Sequence, residues 1–194
     1  MNPDQMKAIV EAAIFISAVP VSLEKLLTLF DEIERPTQQA LRVLLQMLET
    51  DYQGRNIQLK EVANGYRFQV TGEIAQRLAN WHEEQPMRFS RALLETLSLI
   101  AYKQPVTRAE IEDIRGVAVS SHILRTLQER DWIKQIGHKD VPGKPALYGT
   151  TSQFLNDLNL RSLAELPLSL KIQDAQNLVQ LNLDFEPLRD IQHE

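Results

Sequence analysis

Residues 57–70 read IQLKEVANGYRFQV. Ile57 and Leu59 alternate with Gln58 and Lys60, and Tyr66, Phe68 and Val70 alternate with Arg67 and Gln69, the period of two expected of strands with one buried face. Asn64-Gly65 between the two runs is the strongest short-range hairpin signal, so the stretch predicts two antiparallel strands. Working outward toward the amino terminus, the period changes to that of helices. Met6, Ile9, Val10, Ala13, Ile14 and Ile16 mark a first helix that Val19-Pro20 stops; Ser22 is an N-cap for a second carrying Leu23, Leu26, Leu27 and Phe30. Pro36 opens a third, with Leu41, Leu44, Leu45 and Leu48 on one face. Beyond the hairpin, Ile74, Leu78 and Trp81 close the unit with a last helix.

The same grammar recurs downstream. Ser90 through Leu94, Leu97, Ile100 and Ala101 reads as a helix stopped at Gln104-Pro105, and Thr107 with Glu110 forms a capping box. The helix it opens turns Ile111 and Ile114 inward and ends at Arg115-Gly116; another from about Ser120 carries Ile123, Leu124 and Leu127. A strand from Trp132-Ile133, a polar loop 138–145 and a strand Ala146–Thr150 follow, Pro142-Gly143 suiting the two central positions of a type II turn. Laying Pro20-Val21-Ser22 on Pro105-Val106-Thr107 sets Leu26 on Ile111, Leu29 on Ile114, Ile14 on Leu99 and Phe15 on Ile100. Three helices followed by a two-stranded wing, written twice, predict an α+β, mainly α chain of two tandem winged-helix domains. The expected bounds are 1–85 and 90–167, with a linker at 86–89 and a mobile tail at 168–194 whose apolar spacing fits no single period.

Composition narrows the function. The 194 residues contain no cysteine, which removes disulfides, thiolate metal sites and a thiol nucleophile together and fits a reducing cytoplasm. Asp4, Lys7 and Glu11 within an amphipathic opening exclude a signal peptide or membrane span there. Eight cations face twelve carboxylates over residues 1–85, nine face eight over 90–159, and three face six over 160–194, with Arg88 between. A protein that grips DNA through many phosphates needs a concentrated cationic face, and no segment supplies one.

A search for chemistry finds no site. His82, His122, His138 and His193 are too scattered for metal ligation, and His82-Glu83-Glu84 lacks the second histidine of a zinc helix. Gly137 to Gly143-Lys144 has five intervening residues where a P-loop has four, and Pro145 replaces the magnesium-binding hydroxyl. Glu110 and Asp113 read as a solvated helix face rather than an acid and base pair. No catalytic residue, cofactor or metal is expected. Tyr102, Trp132, Tyr148 and Phe154 are the aromatic candidates to anchor a partner, Trp132 and Phe154 reading as core; Arg115, Arg125, Lys139 and Lys144 are the cations that would steer an acidic segment or touch DNA. The loop Lys139–Pro145, including Asp140 and Pro142, is the best candidate surface, because two prolines and a glycine stiffen an exposed tip. The competing reading is a winged-helix transcription regulator, whose groove-reading helix would offer only His122, Arg125, Gln128 and Glu129 to bases.

From Ser90 to Pro167 the chain resembles the segregation and condensation protein B family, winged-helix partners of bacterial SMC complexes. The likeness rests on Ser90-Arg91-Ala92, Leu94–Leu97, Ile100–Glu112, Ile114–Val117, Leu124–Leu127 and the run from Gly137 through Asp140–Thr151; Pro20-Val21-Ser22 and Asn64–Phe68 match more loosely. Ala118–His122 departs from the Asn-Ser-Asp-Gly type common in that family. The resemblance implies a non-catalytic homodimer, cytoplasmic and nucleoid-associated, joined through its amino-terminal domain. It implies a kleisin partner, ScpA, reached through Tyr102, Arg115, Arg125, Lys139, Asp140, Pro142, Lys144 and Tyr148, SMC ATPase heads reached through the kleisin, DNA met only indirectly, and no membrane.

Overall fold

Main-chain polarity sets where the elements of the computed structural model begin. The structure describes residues 1–71, 74, 75, 77, 78 and 89–167. Helix α1 (Pro3–Ile16) starts at Asn2, whose side chain accepts from the Gln5 amide while Gln5 reaches back to Asn2, so two otherwise orphaned donors are satisfied reciprocally. Helix α2 (Leu23–Leu27) is capped by Ser22 as expected. Helix α3 (Gln38–Asp51) is capped by Thr37, whose hydroxyl accepts from the Ala40 amide; Pro36 lies just outside, correcting the expected start. Strands β1 (Ile57–Val62) and β2 (Gly65–Val70) pair antiparallel from Ile57 opposite Val70 to Val62 opposite Gly65. The connecting pair is therefore Ala63-Asn64 rather than Asn64-Gly65. Ile74, Ala75, Arg77 and Leu78 are helical, whereas Trp81, the linker residues 86–88 and the tail 168–194 lie outside the described residues.

By its contacts the chain divides into two compact units, Met1–Glu84 with Asn159–Ser162, and Gln85–Leu158 with Leu163–Glu194. The first unit's core joins Val10 and Ile14 of α1, Leu26, Phe30, Leu41, Leu45 and Leu48 of the next two helical segments, and Leu59 and Tyr66 of the hairpin. The other face of that hairpin takes residues 159–160. The Ala63 amide donates to the Leu160 carbonyl at 2.9 Å and the Arg67 guanidinium to Asn159 Oδ1 at 2.6 Å, while Val62 and Leu160 are buried.

The second unit contains α4 (Arg91–Lys103), β3 (Val106–Thr107), α5 (Arg108–Arg115), α6 (Ser121–Glu129), β4 (Ile133–His138), β5 (Ala146–Thr150) and α7 (Ser152–Asp157). Ser90 caps α4 and Ser120 caps α6, and the expected Thr107–Glu110 capping box opens α5. The sheet of this unit is larger than the two strands expected. β3 pairs with β5, giving a three-stranded sheet in the order β3-β5-β4. The first unit has the same feature reduced to one bridge, in which Val21 and Tyr66 exchange both main-chain hydrogen bonds at 2.9 Å. Val21 faces Tyr66 as Val106 faces Tyr148, so the offset seen in the sequence persists in main-chain pairing.

Burial follows the repeat in part. Leu26 and Ile111 are both fully buried, and Ile14 and Leu99 nearly so. Leu29 and Ile114 also behave alike, but both are exposed, correcting the inward placement of Ile114. Phe15 is 64% exposed where Ile100 is fully buried, so the two units part company there.

Two contacts carry testable consequences. A Cβ on Gly65 would lie 2.1 Å from the Val21 carbonyl oxygen, and Gly65 sits at φ +128, so neither the space nor the backbone angle admits a side chain. Gly65→Ala is expected to destabilise the protein by roughly 2 kcal/mol or more, read as a lowered urea midpoint at unchanged m-value. Glu110 accepts from Lys139 Nζ at 2.6 Å and from the Thr107 amide and hydroxyl at 2.8 Å each. The lysine first, then the Thr107 amide and hydroxyl, pull this carboxyl from its ordinary 4.5 down to about 2. A depressed folded-state value means the contribution is complete above pH 4.5 and is lost as pH falls toward 2. Because the pair is well exposed, Glu110→Gln is expected to cost about 1 kcal/mol or less at pH 7. The deficit relative to the parent should shrink in urea unfolding at pH 3; one that grows in acid would contradict the assignment.

Candidate partner-binding surfaces

The loop between β4 and β5 is tied to itself. Lys139 N–H donates to the Pro145 carbonyl, Val141 N–H to Lys139 and Lys144 N–H to Val141, each at 2.9 Å. Pro142 and Gly143 are the central residues of the last turn, Gly143 at φ +85, as the type II expectation requires. Lys144 follows at φ +38. Three of the loop's amides are thus satisfied within it, while Asp140, Val141, Pro142 and Lys144 are exposed. Lys139 ties the loop's root to the start of α5 through Glu110.

The remaining sequence candidates are dispersed. Tyr102, near the end of α4, is 37% exposed and its hydroxyl donates to the Pro167 carbonyl at 2.9 Å; burial of the ring pushes the phenol's pKa up. Arg115 is not a surface cation. Its side chain is 6% exposed and donates to Glu95 Oε2 at 3.2 Å, while Arg91 holds the other carboxylate oxygen at 2.9 Å. Arg125 is 78% exposed on α6 and pairs with Glu129 one turn on at 2.8 Å. Tyr148 lies half-buried on β5, between Val106 and Gln135. The loop therefore collects Lys139, Asp140, Pro142 and Lys144 in one place; Tyr102, Arg115 and Arg125 sit on other elements.

Trp132 and Phe154 are core residues, 4% and 2% exposed, with the indole N–H donating to Asp157 at 2.7 Å. The groove-reading face of α6 shows His122, Arg125, Gln128 and Glu129 to solvent, and its one arginine is matched by its own glutamate. The segment Gly137–Lys144 runs from strand to strand, not from strand to helix as a phosphate loop does. Among the described residues no group of three His, Asp or Glu could hold a metal, and no helix is long and apolar enough to cross a membrane. His82 and His193 lie outside the described residues.

Two surface features escaped the sequence reading. Arg108 binds Glu112 at 3.0 Å, the Val119 carbonyl at 2.5 Å and Ser121 Oγ at 3.2 Å, so one guanidinium staples α5 to the start of α6. In the first unit, Phe15, Ile16 and Val19 are 64, 83 and 61% exposed, and Ile57 and Val70, paired across the hairpin, 38% each. Phe15 meets Phe68 edge-on at 6.0 Å, two residues from Val70 on the same face of β2. The signal was present in Ala13-Ile14-Phe15-Ile16, an apolar run that goes around the helix rather than along one side.

Residues 8–169 match the family model described as segregation and condensation complex subunit ScpB. The chain is 48% identical over 185 residues to the segregation and condensation protein B homolog of Coxiella burnetii, covering 95% of this chain and 86% of that one. It is 43% identical over 169 residues to the segregation and condensation protein B of Syntrophotalea carbinolica, covering 86% and 83%. The crystal structure of ScpB from Mycobacterium tuberculosis is 29% identical, with 81% of this chain and 97% of that one covered and a TM-score of 0.38. On the extent of the sequence matches, the chain belongs to the ScpB family of segregation and condensation complex subunits.

Proposed function

We propose that the chain is a non-catalytic scaffold, two winged-helix units in tandem, that joins a second copy through its amino-terminal unit and holds the kleisin ScpA through its carboxy-terminal one. In this reading the SMC ATPase is reached through the kleisin, DNA is met only indirectly, and the complex works on the nucleoid in the cytoplasm. The observation that carries it is the self-braced loop Lys139–Pro145. Three internal main-chain hydrogen bonds fix its shape before any partner arrives, which lowers the ordering cost of binding. Its exposed side chains mix an apolar contact, Val141 at 41%, with the charge of Lys144, the composition of a protein-contact surface. DNA reading is disfavoured because the exposed face of α6 is internally neutralised.

Lys139 is a poor site for the test, since reversing it would set two carboxylates together at Glu110. The cleaner variant is Val141→Asp with Lys144→Glu. Kleisin capture is expected to fall at least tenfold at unchanged thermal midpoint, and unchanged capture would remove the loop from the interface. For self-association, burying a phenylalanine and an isoleucine is worth about 1.5–3 kcal/mol each. Phe15→Asp with Ile16→Asp should therefore give a folded monomer by light scattering, because both side chains already face solvent. A dimer that persists at micromolar concentration would place the contact elsewhere.

A further inference from the structure

We infer that the chain's own segment after Pro167 folds back over the outer face of the second unit's sheet, its alternating apolar residues against Ile136 and its carboxylates against Lys103 and Lys134. The point of departure is fixed by a contact. Pro167, the last described residue, accepts from the Tyr102 hydroxyl at 2.9 Å, so residue 168 is reached from the carboxy-terminal end of α4. The outer face begins there. Gln104, two residues beyond Tyr102, accepts from the Thr150 amide at 2.7 Å and leans over Gly149, where a Cβ would lie 2.9 Å from Gln104 Oε1 and 3.1 Å from Ile136 Cδ1. Lys134 stands opposite Gly149 in the strand register and so shares that face. Tyr102, Lys103, Gln104, Ile136 and Lys134 therefore form one continuous strip.

Ile136 is 48% exposed at the bulge between Gln135 and Gly137. Lys103 and Lys134 are exposed, with no bonded carboxylate among the described residues. The neighbouring carboxylates do not cancel them: Asp131 and Asp140 stand beyond the two ends of β4, Glu110 is held by Lys139, and Glu165 has an interaction of its own. An apolar side chain between two such cations suits an occupant that is both apolar and acidic, and the departing segment is both. Leu168, Leu170 and Ile172 alternate with Ser169, Lys171 and Gln173, the pattern of an extended chain with one apolar face. Over residues 168–194 two cations face five carboxylates, the first of them Asp174. Crossing three strands takes about 10 Å, the span of about three extended residues, so the alternating stretch reaches Ile136 with chain to spare.

The test places a photo-crosslinking amino acid at Ile136 in the full chain and maps the joined peptide, in an equilibrated mixture of isotope-labelled and unlabelled protein. The expected result is an adduct to residues 168–194 whose two halves carry the same label. Lys103→Glu with Lys134→Glu should lower its yield at least fivefold at unchanged thermal midpoint, since both side chains are exposed. The neutral pair Lys103→Gln with Lys134→Gln should lower it in the same direction but by less. Adducts confined to residues before 168, adducts joining labelled to unlabelled chains, or a yield indifferent to the two lysines would each overturn the inference. None of these readouts involves the kleisin, so the inference stands or falls apart from the function proposed above.

Discussion

Each unit depends on one main-chain contact: the residue two positions before the second helix pairs with the returning strand of the hairpin. Val21 exchanges two hydrogen bonds with Tyr66, and Val106 pairs with Tyr148. Without that pairing a two-stranded hairpin would be marginal, since its stability requires a third strand or a packed face. With it, the hairpin is pinned to the start of α2 or α5, and its inward side chains meet the helices. In the first unit the approach is close enough that Gly65 has no room for a Cβ, and burial and then the Glu61 carboxylate push the Tyr66 phenol up to about 12. A phenol so held stays neutral throughout the physiological range.

Four glutamates of the second unit are held by its own cations. Glu95 holds Arg91 and Arg115, Glu110 holds Lys139, Glu112 holds Arg108, and Glu129 holds Arg125. Most of these pairs are exposed and individually worth little, so their effect is less on stability than on what remains to be recognised. A cation already matched by a neighbour contributes weakly to a field that would attract phosphate. Of the exposed lysines without such a partner among the described residues, Lys103, Lys134 and Lys144, the last stands beside exposed Val141 on a loop of fixed shape. Recognition from such a surface depends on shape and on a few side chains, as it does between proteins.

Where a structural signal is short-range and repeated, the chain was legible. Ser22, Ser90 and the Thr107–Glu110 box begin helices because their oxygens accept from amides three residues away, a distance that the sequence itself encodes. Leu26 and Ile111 share a fate because a conserved spacing within one chain reflects the same packing twice. The misses are of three physical kinds. Pro36 and Thr37 compete for a helix start, and the hydroxyl wins because it satisfies an amide that proline leaves open. The two-residue strand Val106–Thr107 is too short to show any period, and only its partner 42 residues away defines it. Of the candidate site residues, the loop was readable from its prolines and glycine, whereas the burial of Arg115 against Glu95 depends on how α4 and α5 pack, which no local pattern states.

The sharpest difference between the units lies in their first helices. Helix α4 buries seven residues around its circumference, including Thr96, Leu99 and Ala101, while α1 buries only Val10 and Ile14. Yet α1 is the more apolar at its end, where Phe15 and Ile16 face solvent. A helix that keeps large apolar groups uncovered forgoes a few kcal/mol that burial would supply. Its counterpart, at the same position of the same architecture, does bury them, so the fold itself does not require the exposure. The exposure fits the self-association proposed above: apolar area left on α1 becomes stabilising when a second polypeptide covers it, so that a unit of this kind is more stable in an assembly than alone.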